Sequence, residues 1–149
     1  KFEELKTHLE SEFQRDFLDT GWRPSLQADC LADSGFYSRE FYGLVERLEP
    51  FGNANPRPVL LSQNMKLRDL RFIGKDNKHL KLKFLFADSK SSMFADAVAF
   101  GFGDYVSGLE LESFYDVLWK IEVNNYRGND YLQMNIVDLR HSEGATNED

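Results

Sequence analysis

Leu48-Glu49-Pro50-Phe51-Gly52-Asn53-Ala54-Asn55-Pro56-Arg57-Pro58 divides the chain into two periodicities, and three of its four prolines fall inside this stretch. Pro50 cannot continue a helix, Gly52 and the two asparagines suit tight turns, and Pro56 and Pro58 hold the exit extended. Apolar residues before it recur at helical spacing, whereas those after it alternate in twos. The stretch therefore reads as a rigid joint at which helix gives way to strand.

Upstream, Phe2, Leu5, Leu9, Phe13 and Phe17 step by three and four among Glu3, Glu4, Lys6, Glu10 and Glu12. That spacing predicts an amphipathic helix from residue 2 to about 18, closed by Thr20-Gly21. Beginning in mid-pattern at Lys1 with no initiator Met, the chain is expected to be a piece of something longer or a processed product. Ser25 to Leu31 sets Leu26, Ala28 and Cys30 against Gln27, Asp29 and Leu31, which suggests a short strand. A second helix is expected from Ser38 to Leu48, with Ser38 as N-cap and Phe41, Leu44, Val45 and Leu48 on one face. The single Cys30 cannot form an internal disulfide and reads as a small buried residue.

Downstream, alternation predicts strands near 59–62, 65–73, 78–87, 93–101, 114–125 and 130–140. Gly74 to Asn77 and Asp88 to Ser92 are turn-like, and Arg127-Gly128-Asn129-Asp130 is a hairpin turn. Gly103 to Gly108 leaves room for one helical turn between the third and fourth long strands. This order is that of an OB-fold: mainly β with α additions, a five-stranded Greek-key barrel preceded by helical elements. The barrel domain is expected over 25–140, with helix 38–49 and corner 48–58, an appended helix within 1–20 and a disordered acidic tail at 141–149.

With 149 residues, 42% of them hydrophobic, the chain can bury one good core and hardly two. No run approaches the roughly 18 apolar residues of a membrane span, and Lys1 onward lacks a signal peptide's basic and apolar regions. A cytoplasmic monomer without membrane association is expected. The net charge of −7 argues against a protein that simply coats nucleic acid. Its distribution is uneven, however. Between Asn64 and Phe86 stand Lys66, Arg68, Arg71, Lys75, Lys78, Lys81 and Lys83 against Asp69 and Asp76 alone. Strand 78–86 alternates Leu80, Leu82, Phe84 and Phe86 with His79, Lys81, Lys83 and Leu85, so one face packs inward and the other is cationic. A solvated outer barrel strand would look the same. The neighbouring Lys66, Arg68, Arg71, Lys75 and Lys78 favour a binding face, because OB-folds bind along their second and third strands.

Tyr126 and Tyr131 flank the Arg127-Gly128 turn, with Gln133 and Asn135 on the face of Tyr131, and supply candidate stacking surfaces. Phe72, Phe84, Phe100, Phe114 and Trp119 are assigned to the core. No catalytic centre is expected. His8, His79 and His141 lie far apart in no metal-binding spacing, Gly101-Phe102-Gly103 lacks the remainder of a phosphate loop, and no serine elbow occurs. Glu110 and Glu112 read as solvated turn residues, and no metal or cofactor is expected in this chain.

Taken in order, these elements resemble the C-terminal part of RecJ-family single-strand-specific DNA exonucleases. Leu48-Glu49-Pro50-Phe51-Gly52 with Asn55-Pro56 and Pro58 is similar to the family's LEPFGxxNPxP string. Gly74 with His79-Leu80-Lys81-Leu82 resembles its G…HLKL element, Ala97-Val98-Ala99-Phe100 its apolar strand, and Asn124-Asn125-Tyr126-Arg127-Gly128 its NxY/W-R/K-G turn. Leu132-Gln133 and Val137-Asp138-Leu139-Arg140 match the closing strand, so the likeness runs over residues 26–140. The resemblance implies an OB domain following DHH and DHHA1 catalytic domains, with residues 1–20 as the terminal helix of a DHHA1-like domain. It implies a parent enzyme that hydrolyses single-stranded DNA from the 5′ end with Mn²⁺ or Mg²⁺. This chain has neither the Asp-His-His triplet nor the GGH segment, so neither metal site nor activity carries over. What carries over is a role in guiding single-stranded DNA, with single-strand-binding protein as a family-level partner. The expected DNA-binding residues are Lys66, Arg68, Arg71, Lys75, Lys78, His79, Lys81, Lys83, Tyr126, Arg127, Tyr131 and Gln133. The competing reading is an architectural or protein-interaction module whose basic strand docks an acidic partner such as single-strand-binding protein. Oligosaccharide binding fits less well, since such sites favour exposed Trp with carboxylates or amides.

Overall fold

The computed structural model describes residues 2–13, 25–86 and 92–143. Helix α1 spans Phe2–Phe13. The expected continuation to 18 with its Thr20-Gly21 stop, the turn at 88–91 and most of the acidic tail lie outside the described residues. Among the described residues no helix is long and apolar enough to cross a membrane.

Five long strands close a barrel: β2 Leu60–Ile73, β3 His79–Phe86, β4 Met93–Ala99, β5 Phe114–Tyr126 and β6 Asn129–His141. They follow the order β2, β3, β4, β6, β5, and an additional antiparallel pairing of β2 with β5 completes the circuit. A 3-10 turn over Gly103–Gly108 joins β4 to β5, where the sequence predicted one helical turn. Arg127 and Gly128, at φ 51° and 79°, form a two-residue hairpin between the paired Tyr126 and Asn129. Both central residues need positive φ for that turn, which matches the strands' twist.

Alternating side chains fill the interior. Leu80, Leu82, Phe84 and Phe86 of β3 are buried as expected, with Met65, Leu67, Val117, Trp119, Ile121, Met134 and Ile136 from the other strands. Each large apolar side chain so removed from water contributes about 1.5–3 kcal/mol. Trp119 Nε1 donates to Ser62 Oγ at 2.9 Å, and that hydroxyl donates to the Ala32 carbonyl at 2.7 Å. The buried indole and hydroxyl therefore tie the segment before the helix to the barrel wall.

Strands predicted separately at 59–62 and 65–73 are one strand, β2, broken in phase by two irregularities. One lies between Ser62 and Met65 against β5, the other between Leu67 and Asp69 against β3. Each inserts a residue, so the buried positions run Leu60 and Ser62, then Met65 and Leu67, then the partly buried Leu70. Such bends let one strand pair with two neighbours around the barrel.

The predicted strand at Ser25–Leu31 is reduced to β1, Cys30–Leu31, paired parallel with Leu60 and Leu61. Cys30 is exposed, contrary to expectation, because the two-residue strand pairs only with the start of β2 among the described residues and both its side chains stay open to solvent. Helix α2 spans Arg39–Glu46, and Ser38 caps it by accepting from Phe41 N at 3.2 Å. Its inward stripe is Phe41, Tyr42 and Val45, whereas Leu44 and Leu48 are exposed. The inward stripe centres on Val45, which leaves Leu44 one position round on the open side, and Leu48 lies past the helix end.

The joint is a braced corner. Asn55 Nδ2 donates to the Leu48 and Pro50 carbonyls at 2.8 and 3.1 Å, and Gly52 and Asn55 exchange backbone hydrogen bonds. Arg57 pairs with Glu46 at 2.8 Å, reaches Glu49 at 3.6 Å and covers the Phe51 ring at 4.4 Å. Its Nη1 also donates to the Ile121 carbonyl at 3.4 Å, which fastens the corner to β5.

Candidate nucleic-acid interface

The outer faces of β2 and β3, with the loop that joins them, carry the basic segment, and strand register sorts it into rows that continue onto β4. Arg71 stands opposite Lys81, Lys81 opposite Val98, Val98 opposite Asn135 and Asn135 opposite Lys120. Asp69 stands opposite Lys83, which in turn faces Asp96. Lys66 stands opposite Leu85, and Leu85 opposite Phe94. Lys66 and Arg71 differ in parity, so strict alternation would place them on opposite faces. The extra residue at Arg68 brings both outward.

The cations differ in availability. Glu112, at φ 67°, turns its carboxylate onto both Lys66 Nζ at 3.2 Å and Arg68 Nη1 at 3.1 Å. Glu112 is thus more than the solvated turn residue expected, and Lys66 also lies 5.5 Å from the Phe114 ring centroid. Lys83 Nζ lies 3.9 Å from Asp96. Among the described residues, none of the ion pairs involves Arg71, Lys75, Lys78 or Lys81. Positive charge therefore concentrates along the Arg71 and Lys81 row and the adjoining loop from Gly74 to Lys78.

That loop is clamped against the end of β4. His79 Nδ1 accepts from Gly101 N at 2.9 Å, which leaves the ring proton on Nε2, and Gly103 N donates to the Lys78 carbonyl at 3.1 Å. A Cβ at Gly103 would fall 2.2 Å from the Asn77 carbonyl oxygen, so only glycine permits this approach. The clamp sets His79 edge-on to Phe100, with ring centroids 5.3 Å apart.

Phe100 is 54% exposed, and Phe72 is also exposed, so neither belongs to the core as predicted. On β4 the alanines Ala95, Ala97 and Ala99 face inward opposite Phe84, Leu82 and Leu80. Large residues on β3 leave room only for small ones there, which turns Phe94, Asp96 and Phe100 outward and exposed, while Val98, at the same alternate phase, is buried. Phe94, 52% exposed, was missed in the sequence, as was Lys120. The signal for Phe94 was the Ala-x-Ala-x-Ala alternation, whereas nothing short of the β6 register places Lys120 in a row with Lys81.

Tyr126 and Tyr131 are 56% and 51% exposed on the outer face of the β5–β6 hairpin. Arg127 lies 5.2 Å from the Tyr126 ring centroid, and Arg39 Nη2 donates to the Asp130 carbonyl beside the turn. Gln133 faces Glu122, whose Oε1 accepts from Asn135 Nδ2 at 2.8 Å. These hairpin residues share the outer surface but lie at the entry end of β6, away from the His79 and Phe100 clamp at the exit of the parallel β4. The predicted residues thus form two groups: Arg71, Lys75, Lys78, His79 and Lys81 near the clamp, and Tyr126, Arg127, Tyr131 and Gln133 near the hairpin. Lys66 and Arg68 share the Glu112 carboxylate, and Lys83 stands between Asp69 and Asp96.

Among the described residues no group of three or more His, Cys, Asp or Glu side chains converges in a way that could hold a metal ion.

A family model described as RecJ OB domain matches residues 28–138. The single-stranded-DNA-specific exonuclease RecJ of Bacillus subtilis (strain 168) is 24% identical over 140 residues, covering 94% of this chain and 17% of that protein. The crystal structure of RecJ in complex with Mn²⁺ from Thermus thermophilus matches with 27% identity and a TM-score of 0.53, over 77% of this chain and 15% of the other. The Mg²⁺ complex of the same protein gives the same identity and TM-score and covers 16% of its chain. The chain thus spans less than a fifth of the length of these relatives.

Proposed function

The chain belongs to the RecJ OB-domain family, and from that premise we propose that it is the non-catalytic, single-strand-guiding part of a longer RecJ-like 5′-3′ exonuclease. Residues 25–140 are the binding module, and residues 1–20 close the preceding domain. Single-stranded DNA lies across the outer face of β2, β3 and β4, and the parent's catalytic domains supply the metal-dependent hydrolysis.

The observation that carries this reading is the row of Arg71 and Lys81, free of ion pairs among the described residues, beside the exposed Phe100 that His79 holds edge-on. Cations track the phosphates, and an exposed ring stacks on any base for roughly 1–3 kcal/mol. Both interactions are indifferent to sequence, as guiding a strand requires. Tyr126 and Tyr131 extend the same surface towards the hairpin.

Oligo-dT titrations of this chain at low salt test the assignment. Lys81→Glu is expected to weaken binding at least tenfold, whereas Lys83→Glu, at a site already flanked by Asp69 and Asp96, has a smaller effect. Equal affinity of the Lys81→Glu variant and the parent chain would overturn it.

A further inference from the structure

The outer face carries an acidic row beside its basic one. Asp69, Lys83 and Asp96 lie side by side on β2, β3 and β4, two residues along the strands from Arg71, Lys81 and Val98. Two residues of strand correspond to about 6.6–6.8 Å. Lys83 and Asp96, with side chains 46% and 51% exposed, form a loose pair, leaving the row net negative through Asp69. Beyond it, Lys66 and Arg68 are already held by Glu112.

We propose that Asp69 and Asp96 act as a fence that makes the face selective for single over double strands. The inference rests on the proposed single-strand reading of this face. A single strand seated on Arg71 and Lys81 has all its phosphates in one line and can lean towards Phe100. A duplex carries a second phosphate backbone across grooves about 6 and 12 Å wide. With one backbone on the basic row, the Asp69 and Asp96 carboxylates, two residues along the strands, lie under the narrower groove between the two backbones. Lys66 and Arg68 lie further along the strands, and Glu112 offsets one of their two positive charges, which lessens their pull on the second backbone. The carboxylates then stand within a Debye length of about 8–10 Å of both backbones, whereas a single strand brings only one, so the added repulsion is felt at physiological salt. For a flexible single strand the same carboxylates are avoidable.

The experiment compares oligo-dT with a blunt duplex of equal length, at one low salt concentration, for the parent chain, Asp69→Asn with Asp96→Asn, and Lys83→Met. Melting temperatures establish that the variants remain folded, which is expected because all three side chains are exposed. The single-strand to duplex affinity ratio is expected to fall more than twofold in the double variant, because duplex binding rises more. In Lys83→Met, which leaves the carboxylates uncompensated, it rises. A double-variant ratio within twofold of the parent's overturns the fence, even if both affinities increase together. Failure of the unsubstituted chain to bind oligo-dT overturns the functional reading instead, and the fence with it.

Discussion

At Tyr37 one hydroxyl serves two backbone groups on different strands. It donates to the Leu132 carbonyl at 2.6 Å and accepts from Asp96 N at 3.1 Å, bridging β6 and β4 beside their short parallel seam of Ala97 with Met134 and Val98 with Asn135. Its ring packs 6.3 Å from Trp119 and 6.4 Å from Phe86. Tyr37→Phe keeps the ring but strips both backbone groups of their partner, so a loss of about 1–3 kcal/mol is expected in urea unfolding. Burial also pushes the Tyr37 phenol from 10.0 up to about 12. The folded state therefore holds this proton more tightly than the unfolded chain. Its stabilisation is complete below pH 10 and declines as pH rises towards 12. Unfolding measured across that window should show a steeper loss for the parent chain than for Tyr37→Phe; parallel curves would refute the linkage. None of this was legible in the sequence, because the two partners stand 59 and 95 residues away.

Strand β2 shows where alternation succeeds as a guide and where it stops. Strand β3 was read correctly residue by residue because it has one phase throughout, inward at Leu80, Leu82, Phe84 and Phe86. In β2 the phase changes twice, and a change of phase reads in sequence as a strand end. The first change centres on Asn64, at φ 54°, whose N–H donates to the buried Asp116 Oδ1 at 3.2 Å. Asn tolerates the left-handed region, whereas most side chains there cost about 1–2 kcal/mol. Asn64→Gly should therefore unfold within about 0.5 kcal/mol of the parent, while Asn64→Val should lose about 1–2 kcal/mol and more if β-branching adds to the strain. Equal stability of the two variants in urea would mean that the irregularity relaxes. The second change had a consequence for the site, since it carries Arg71 onto the face of Lys66 and Lys81. The cationic residue types were legible as a cluster; their sorting into rows depends on pairings that the cluster does not encode.

At the scale of the whole molecule, a chain of net charge −7 gathers four cations without an ion pair among the described residues, Arg71, Lys75, Lys78 and Lys81, beside the clamp. The element order was legible because each long strand and turn is local; closure through β2 with β5 and β4 with β6 is not, and closure decides which charges are neighbours. If every basic residue singled out in the sequence met a phosphate, Lys66, Arg68, Arg71, Lys75, Lys78, Lys81, Lys83 and Arg127 would give eight contacts. At about 0.7 per contact on a single strand, log affinity against log salt would then fall with a slope near −6. Glu112 already holds Lys66 and Arg68, Asp69 and Asp96 flank Lys83, and Arg127 lies over Tyr126. Arg71, Lys75, Lys78 and Lys81 remain, and four contacts correspond to a slope of about −3. Oligo-dT titrations over a series of salt concentrations should give that shallower value, and Lys81→Glu should reduce it further by at least the one contact it removes. A measured slope near −6 would mean that the strand breaks the Glu112 pairs on binding, and the same titration of Glu112→Gln, with an unaltered slope and tighter binding, would establish that exchange.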